Sequence, residues 1–303
     1  MGLKILRTHC VEAGNRISNK FFEDKSQIDS EWIIRRTGIK SRFYSNMTTS
    51  EMAAAAAFGL EISEDELAKI KLIIVTSVTS DIIIPNIASL LQKKLNITND
   101  CMSLDLNTAC SGYASATIVA ERMLNRGEYA LIVSSEKLSD IINWDDKKSC
   151  MLFGDGAAAV LYEKTAGNFA AIGKTYGNDK DLYLDSGSVL HMNGRDVFRF
   201  ALDKVPKAIN EMLTAKGMTL EDIDHVVMHQ ANTRIIDTVG DMLGISDKIT
   251  SNIAEHGNTS SASIPILLSQ MYDAGKIAQG ERLLLVGLDR KSTRLNSSHG
   301  RRS

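Results

Sequence analysis

Residues 70–76, IKLIIVT, return at 223–229 as IDHVVMH, aligned without a gap at an offset of 153 residues. Residues 107–111, NTACS, return at 258–262 as NTSSA, at an offset of 151. In each copy a short apolar run reads as a buried strand, and the NT element precedes a helix. That helix ends near a glycine, Gly127 or Gly275, before the next apolar strand. Two offsets that agree within two residues, in the same order, mark an internal repeat. The chain therefore reads as two similar α/β halves, 1–165 and 166–288, meeting at KTAGN (164–168).

The rest of each half is built outward from these runs. After strand 70–75, Pro85 opens a helix with Ile87, Leu90 and Leu91 on one face. Met102, Leu104 and Leu106 alternate as a strand. The stretch from Cys110 is almost uncharged until Glu121 and Arg122, which predicts a helix buried near the centre. Strands follow at 129–134 and, after the turn Gly154-Asp155-Gly156, at 157–162. Stacking two such halves predicts an α-β-α-β-α layered fold.

Composition narrows the function classes. At 44% apolar and 24% charged, the chain has the material for a large core and is not disordered. Thirty-five Lys and Arg against 37 acids leave no basic excess for a nucleic-acid binder. No apolar run reaches the ~18 residues of a membrane span, and the N-terminus lacks a secretory core. Four cysteines at 10, 101, 110 and 150 form neither a CxxC pair nor a disulfide framework. A cytoplasmic enzyme is expected.

The last fifteen residues, DRKSTRLNSSHGRRS (289–303), differ from the rest. Leu295 alone is apolar, and five basic residues face the single acid Asp289. The repeat calls for a turn and another strand after RLLLVGL (282–288), as 157–162 follows 129–134. This composition predicts instead an exposed, non-native tail, open to trypsin at Arg290, Lys291 or Arg294, with the last strand missing.

Three residues carry the chemistry. Cys110 lies where a strand gives way to a helix, and unpaired N–H groups at a helix start stabilise a thiolate. Judged by residue type, a structural cysteine is the commoner reading. Position reverses it, because Cys101 and Cys150 fall in apolar, strand-like contexts and Cys110 sits among Thr108, Ala109, Ser111 and Gly112. His229 ends a strand, facing the crevice where open α/β sheets bind ligands. Asn258 occupies in the second half the place of Asn107 beside Cys110. The repeat brings Cys110, His229 and Asn258 towards one centre. Metal binding is a poor rival, since His225 and His229 are four apart on a strand.

At these residues the sequence resembles the β-ketoacyl-acyl-carrier-protein synthase III family, in EWIIRRTGI (31–39), NTACSGY (107–113), LFGDGAAA (152–159), HQANTRI (229–235) and HGNTSSASIP (256–265). The resemblance runs from about Glu31 to Leu288 and implies a thiolase-like fold, assembled as a homodimer. It implies that Cys110 is acylated and that His229 and Asn258 serve malonyl decarboxylation. Trp32 and Arg36 match positions that grip coenzyme A, and Arg234 one that faces acyl-carrier protein. Ile84 matches a position lining the neighbouring subunit's acyl tunnel. No cofactor is implied beyond coenzyme A thioesters as substrates, and neither nucleic acid nor membrane is a partner. Residues 5–14, ILRTHCVEAG, depart from the family's glycine-containing opening and Leu-Pro turn. DRKSTRLN replaces a glycine-rich loop whose N–H completes the oxyanion hole. Rival readings are a related condensing or ester-forming acyltransferase of secondary metabolism, a Cys-His-Asn thioester hydrolase, and a non-catalytic subunit.

Overall fold

The computed structural model describes residues 2–12, 14–177, 180–289 and 292–299. The chain opens on strands β1 (Gly2–Val11) and β2 (Asn15–Ser18) and helices α1 (Lys20–Ser26) and α2 (Ser30–Thr37). Strand β3 (Ser41–Tyr44) pairs back onto β2, and helices α3 (Thr49–Phe58) and α4 (Glu64–Leu67) follow. Then come β4 (Ile70–Thr76), α5 (Ile87–Lys94), β5 (Met102–Leu106) and α6 (Gly112–Met123). Strands β6 (Tyr129–Glu136) and β7 (Gly156–Thr165) come next. Beyond Asn168 lie β8 (Phe169–Thr175), the ribbon of β9 (Leu182–Tyr183) and β10 (His191–Met192), and the long α7 (Gly194–Thr214). The chain continues through β11 (His225–Met228), α8 (Thr233–Leu243), α9 (Ile253–His256) and α10 (Ser263–Asp273). It closes with β12 (Arg282–Asp289) and β13 (Ser292–His299).

Two sheets carry the repeat. The first has the order β1-β7-β6-β4-β5, with β4 parallel to both neighbours and β7 antiparallel to both. The second, β8-β13-β12-β11, has the same sequence of directions, and β12 begins 153 residues after β6. The counterpart of β5 shrinks to one parallel bridge between Val226 and Ile249.

Alternation along the strands explains the layers. On β4, Ile70, Ile73 and Val75 pack under α3 and α5, while Leu72 and Ile74 face the central helices α6 and α10. On β12, Leu283 and Leu285 face those central helices, and Leu284, Val286 and Leu288 pack against α7 and α8. Helices on both faces leave no polar side to either strand, hence the unbroken apolar runs of the sequence. The result is α-β-α-β-α, as expected. Helix α6 lies in the middle layer, with Tyr113, Ala116 and Ala120 inaccessible to solvent.

Several expectations need correction. Helix α5 is capped by Asn86, whose Oδ1 accepts from Ser89 N–H, and so starts just after Pro85. Cys150 lies in the irregular stretch before β7, buried by aromatic packing with Phe22 and Phe153. Most plainly, the expected absence of a last strand is overturned. Residues Ser292–His299 fill the slot between β12 and β8, with Asn296 opposite both Leu285 and Ala171. The physical reason is that ladder bonds join backbone to backbone, and an empty slot would leave two rows of N–H and C=O groups without partners. Of the proposed trypsin sites, Arg290 and Lys291 lie outside the described residues, and Arg294 belongs to the ladder.

Candidate active site

Cys110 occupies the middle of a 3-10 turn, Ala109–Ser111, between β5 and α6. Ala109 takes φ +45°, a strained value for a residue with a Cβ. Ser111 Oγ donates to Thr108 O at 2.7 Å and tightens the turn. Two glycines let other elements close on it. A Cβ on Gly112 would meet Ser261 Cβ at 2.9 Å and Thr76 Cβ at 3.0 Å. One on Gly287 of β12 would meet Ala114 Cβ at 2.9 Å and Ser111 Cα at 3.1 Å. The equivalent turn of the second half, Ser260–Ala262, repeats the strain with Ser260 at φ +49°. Ser260 Oγ stands 3.6 Å from Cys110 Sγ.

His229 follows β11 directly, its N–H bonded to Val286 O at 2.8 Å. Burial pushes the imidazole down to about 3, against an opposing contact with the Ser260 backbone, so the ring is neutral at pH 7. Its Nδ1 lies 2.6 Å from Ser263 Oγ, which also accepts from Gln230 N–H. Asn258 is clamped by its main chain to residues 152–154, accepting from Gly154 N–H and donating to Leu152 O. Its Oδ1 accepts from Ser260 N–H at 2.9 Å, which leaves the NH₂ as the donating end.

Cys110, His229, Asn258 and Ser260 line one cavity of about 270 Å³, whose other walls include Leu138, Phe153, Leu184 and Phe198. Beside it lies a larger space of about 1100 Å³, the vestibule, which shares Leu152, Met192, Gly194, Phe198 and Asn232 as walls with the cavity. The vestibule holds Trp32, Arg36 and Arg234, together with Lys148, Arg195 and Arg199, against Asp146 and Asp196. Asn232 fixes its rim. The amide Nδ2 donates to Arg36 O at 3.1 Å, while Oδ1 caps α8 through Arg234 N–H. Cys110, His229 and Asn258 therefore line the cavity, and Trp32, Arg36 and Arg234 line the space beside it.

Sequence reasoning missed Glu136, Ser260 and Ser263 behind the site and Arg195 and Arg199 at its mouth. The two arginines are four apart at the start of α7, a helical spacing that could have flagged a cationic face. The buried hydroxyls carry no comparable signal. Among the described residues, no group of His, Cys, Asp or Glu could hold a metal ion.

Five layers with two equivalent turns meeting over an apolar cavity, one bearing Cys110 and the other entered from Asn258, define a condensing enzyme of the thiolase fold. Residues 104–179 match the 3-oxoacyl-(acyl-carrier-protein) synthase III family model, and residues 213–289 match that of its C terminal part. β-Ketoacyl-(acyl-carrier-protein) synthase III of Neisseria gonorrhoeae is 36% identical over 303 residues, spanning 94% of this chain and 95% of that protein. Its namesake from Oceanobacillus iheyensis is 37% identical over 297 residues, spanning 95% of each. The crystal structure of 3-oxoacyl-(acyl-carrier-protein) synthase III from Aquifex aeolicus superposes with a TM-score of 0.92 at 30% identity, covering 98% of this chain and all of that one. The chain belongs to the β-ketoacyl-acyl-carrier-protein synthase III family.

Proposed function

We propose that this chain joins an acyl-CoA starter to malonyl-acyl-carrier protein with loss of carbon dioxide, the condensation that initiates fatty-acid synthesis. The observation that carries the reading is the convergence of Cys110, His229 and Asn258, from both halves, on one apolar cavity behind a cationic vestibule. In the first step the Cys110 thiolate attacks the thioester carbonyl. CoA leaves as its thiolate, which takes a proton from water, and acyl-S-Cys110 remains. The start of α6 stabilises the thiolate, and the Cys110 N–H faces the developing oxyanion. The second donor for that oxyanion is expected in the loop after Leu288.

In the second step malonyl thioester replaces CoA. Its carbonyl oxygen accepts from Asn258 NH₂ and from His229. A Ser263 hydroxyl that accepts from Gln230 N–H and donates to Nδ1 keeps the imidazole proton on Nε2, facing substrate. Two neutral donors in a dry cavity stabilise the enolate as carbon dioxide departs. Its carbon attacks acyl-S-Cys110, releasing the β-ketoacyl thioester and restoring the thiolate.

Trp32 and Arg36 would hold the nucleotide end of CoA, and Arg234, with Arg195 and Arg199, the acidic carrier protein. This reading calls for no further cofactor and for a cytoplasmic enzyme. No helix among the described residues is long and apolar enough to cross a membrane. A homodimer would cover Ile83 and Ile84, 90% and 88% exposed, and Met102 on the edge strand β5. In origin, 289–303 is read as foreign to the two halves 1–165 and 166–288. Intact-mass analysis after exposure to a panel of acyl-CoAs tests the central reading. Wild type should gain one acyl group and Cys110→Ala none, whereas acylation of the variant would refute it.

A further inference from the structure

Glu136 ends β6 with its side chain wholly buried, and the reaction outlined above makes no use of it. A carboxyl group withdrawn from water needs hydrogen-bond donors. Here they come from both halves. Oε2 accepts from Val78 N–H and from the Thr79 hydroxyl, each at 3.0 Å, in the loop after β4. Oε1 accepts from the Ser261 hydroxyl at 2.6 Å and lies 3.4 Å from Ser261 N–H. Its chain neighbour Ser260 stands with its hydroxyl 3.6 Å from Cys110 Sγ. Ser260 holds a left-handed backbone, a conformation that persists in a residue with a Cβ only where the surroundings over-determine it.

We propose that Glu136 is a positioning residue for the nucleophile: it clamps the turn 260–262 of one half to the β4 loop of the other and so holds Ser260 against Cys110. The inference rests on Cys110 as the acylated residue. Two substitutions separate the clamp from mere packing. Glu136→Gln keeps the shape: its oxygen can accept from Val78 N–H and its NH₂ donate to the Ser261 hydroxyl. That hydroxyl then turns its hydrogen to Thr76 O, already 3.2 Å away. Glu136→Ala removes every bond.

The test measures acylation by acetyl-CoA and alkylation by iodoacetamide, both resolved by cysteine with peptide mass analysis. Glu136→Ala should slow Cys110 acylation at saturating acetyl-CoA by about tenfold or more, the scale of a small misplacement. The half-saturating concentration should stay unchanged, because the vestibule is untouched. Cys110 alkylation should slow with it, while Cys10, Cys101 and Cys150 keep their rates. Glu136→Gln should return both reactions to within about threefold of wild type. The inference fails if Glu136→Ala matches wild type, if Glu136→Gln is no better than Glu136→Ala, or if all four cysteines change together. Wild type that takes no acyl group from any acyl-CoA would refute the functional reading instead, and the alkylation rates would still judge the clamp.

Discussion

The two halves share a backbone and divide the chemistry. At matched turns, Ala109 and Ser260 adopt the same left-handed conformation, and each turn is entered from an Asn. The amide oxygens of Asn107 and Asn258 both accept from the N–H two residues on, at 3.4 and 2.9 Å. Beyond that the side chains diverge. Cys110 faces Ser261 across the repeat, and Thr76 faces His229. Thr76 is spent on structure, its hydroxyl bonded to Ser134 Oγ at 2.6 Å, while His229 lines the cavity. One architecture thus supplies two equivalent anchor points. On the proposed reading, nucleophile and enolate donors are assigned by side chains alone. The strands β7 and β13 show the opposite limit. They hold the same place in their sheets, yet β7 reads GAAAVLYEKT and β13 reads STRLNSSH.

Four measurements can break or sharpen this comparison. The largest effect is expected at the anchor points. His229→Ala or Asn258→Ala should cut decarboxylation of malonyl thioester by ~10²–10³ while leaving acylation of Cys110 within a few-fold. Carbon dioxide release and acyl-enzyme mass measure the two steps separately, and loss of acylation with decarboxylation intact would reverse the division of labour.

The strands come next. Leu161→Ala in β7, a fully buried site, should cost about 2–5 kcal/mol in denaturant unfolding. Deleting 290–303 takes from β8 its single ladder partner among the described residues and should lower the thermal midpoint by several degrees. An unchanged midpoint would mean that the ladder of β13 adds nothing to stability. Grafting an apolar strand in its place should raise the midpoint.

A smaller effect is expected where the halves meet. Gly287→Ala places a Cβ against Ala114 and Ser111, and should destabilise by about 1–3 kcal/mol and slow acylation. The smallest concerns protons. Burial holds His229 at about 3, below its unfolded value near 6.5, so the unfolded chain binds more protons between these values. Stability from this residue is therefore full above about pH 6.5 and falls as pH drops towards 3, by about 2 kcal/mol at pH 5. His229→Asn should flatten that slope in unfolding measured from pH 7 to 5.

Much of this was legible in the sequence, for identifiable reasons. The repeat exposed the layers because strands buried on both faces must be apolar throughout, as IKLIIV and RLLLVGL are. That Cys110, His229 and Asn258 share one cavity was legible because turns at strand ends need small residues, and a polar or thiol side chain stands out among them. Glu136 was illegible, since a carboxylate at the end of SSE gives no hint that five donors, from Ser77, Val78, Thr79 and both the N–H and hydroxyl of Ser261, converge on it. The last strand was misread because composition reports side chains, whereas the slot between β8 and β12 is filled by main-chain groups.

The cavity and the vestibule share five wall residues, so on the proposed reading acyl-CoA and the malonyl carrier approach Cys110 through the same space. Traffic through it has to be ordered. The spent CoA must clear the corridor before the malonyl carrier can enter, and a carrier that arrives first blocks the starter. Excess malonyl thioester should therefore slow turnover by queueing, a delay that more acyl-CoA relieves.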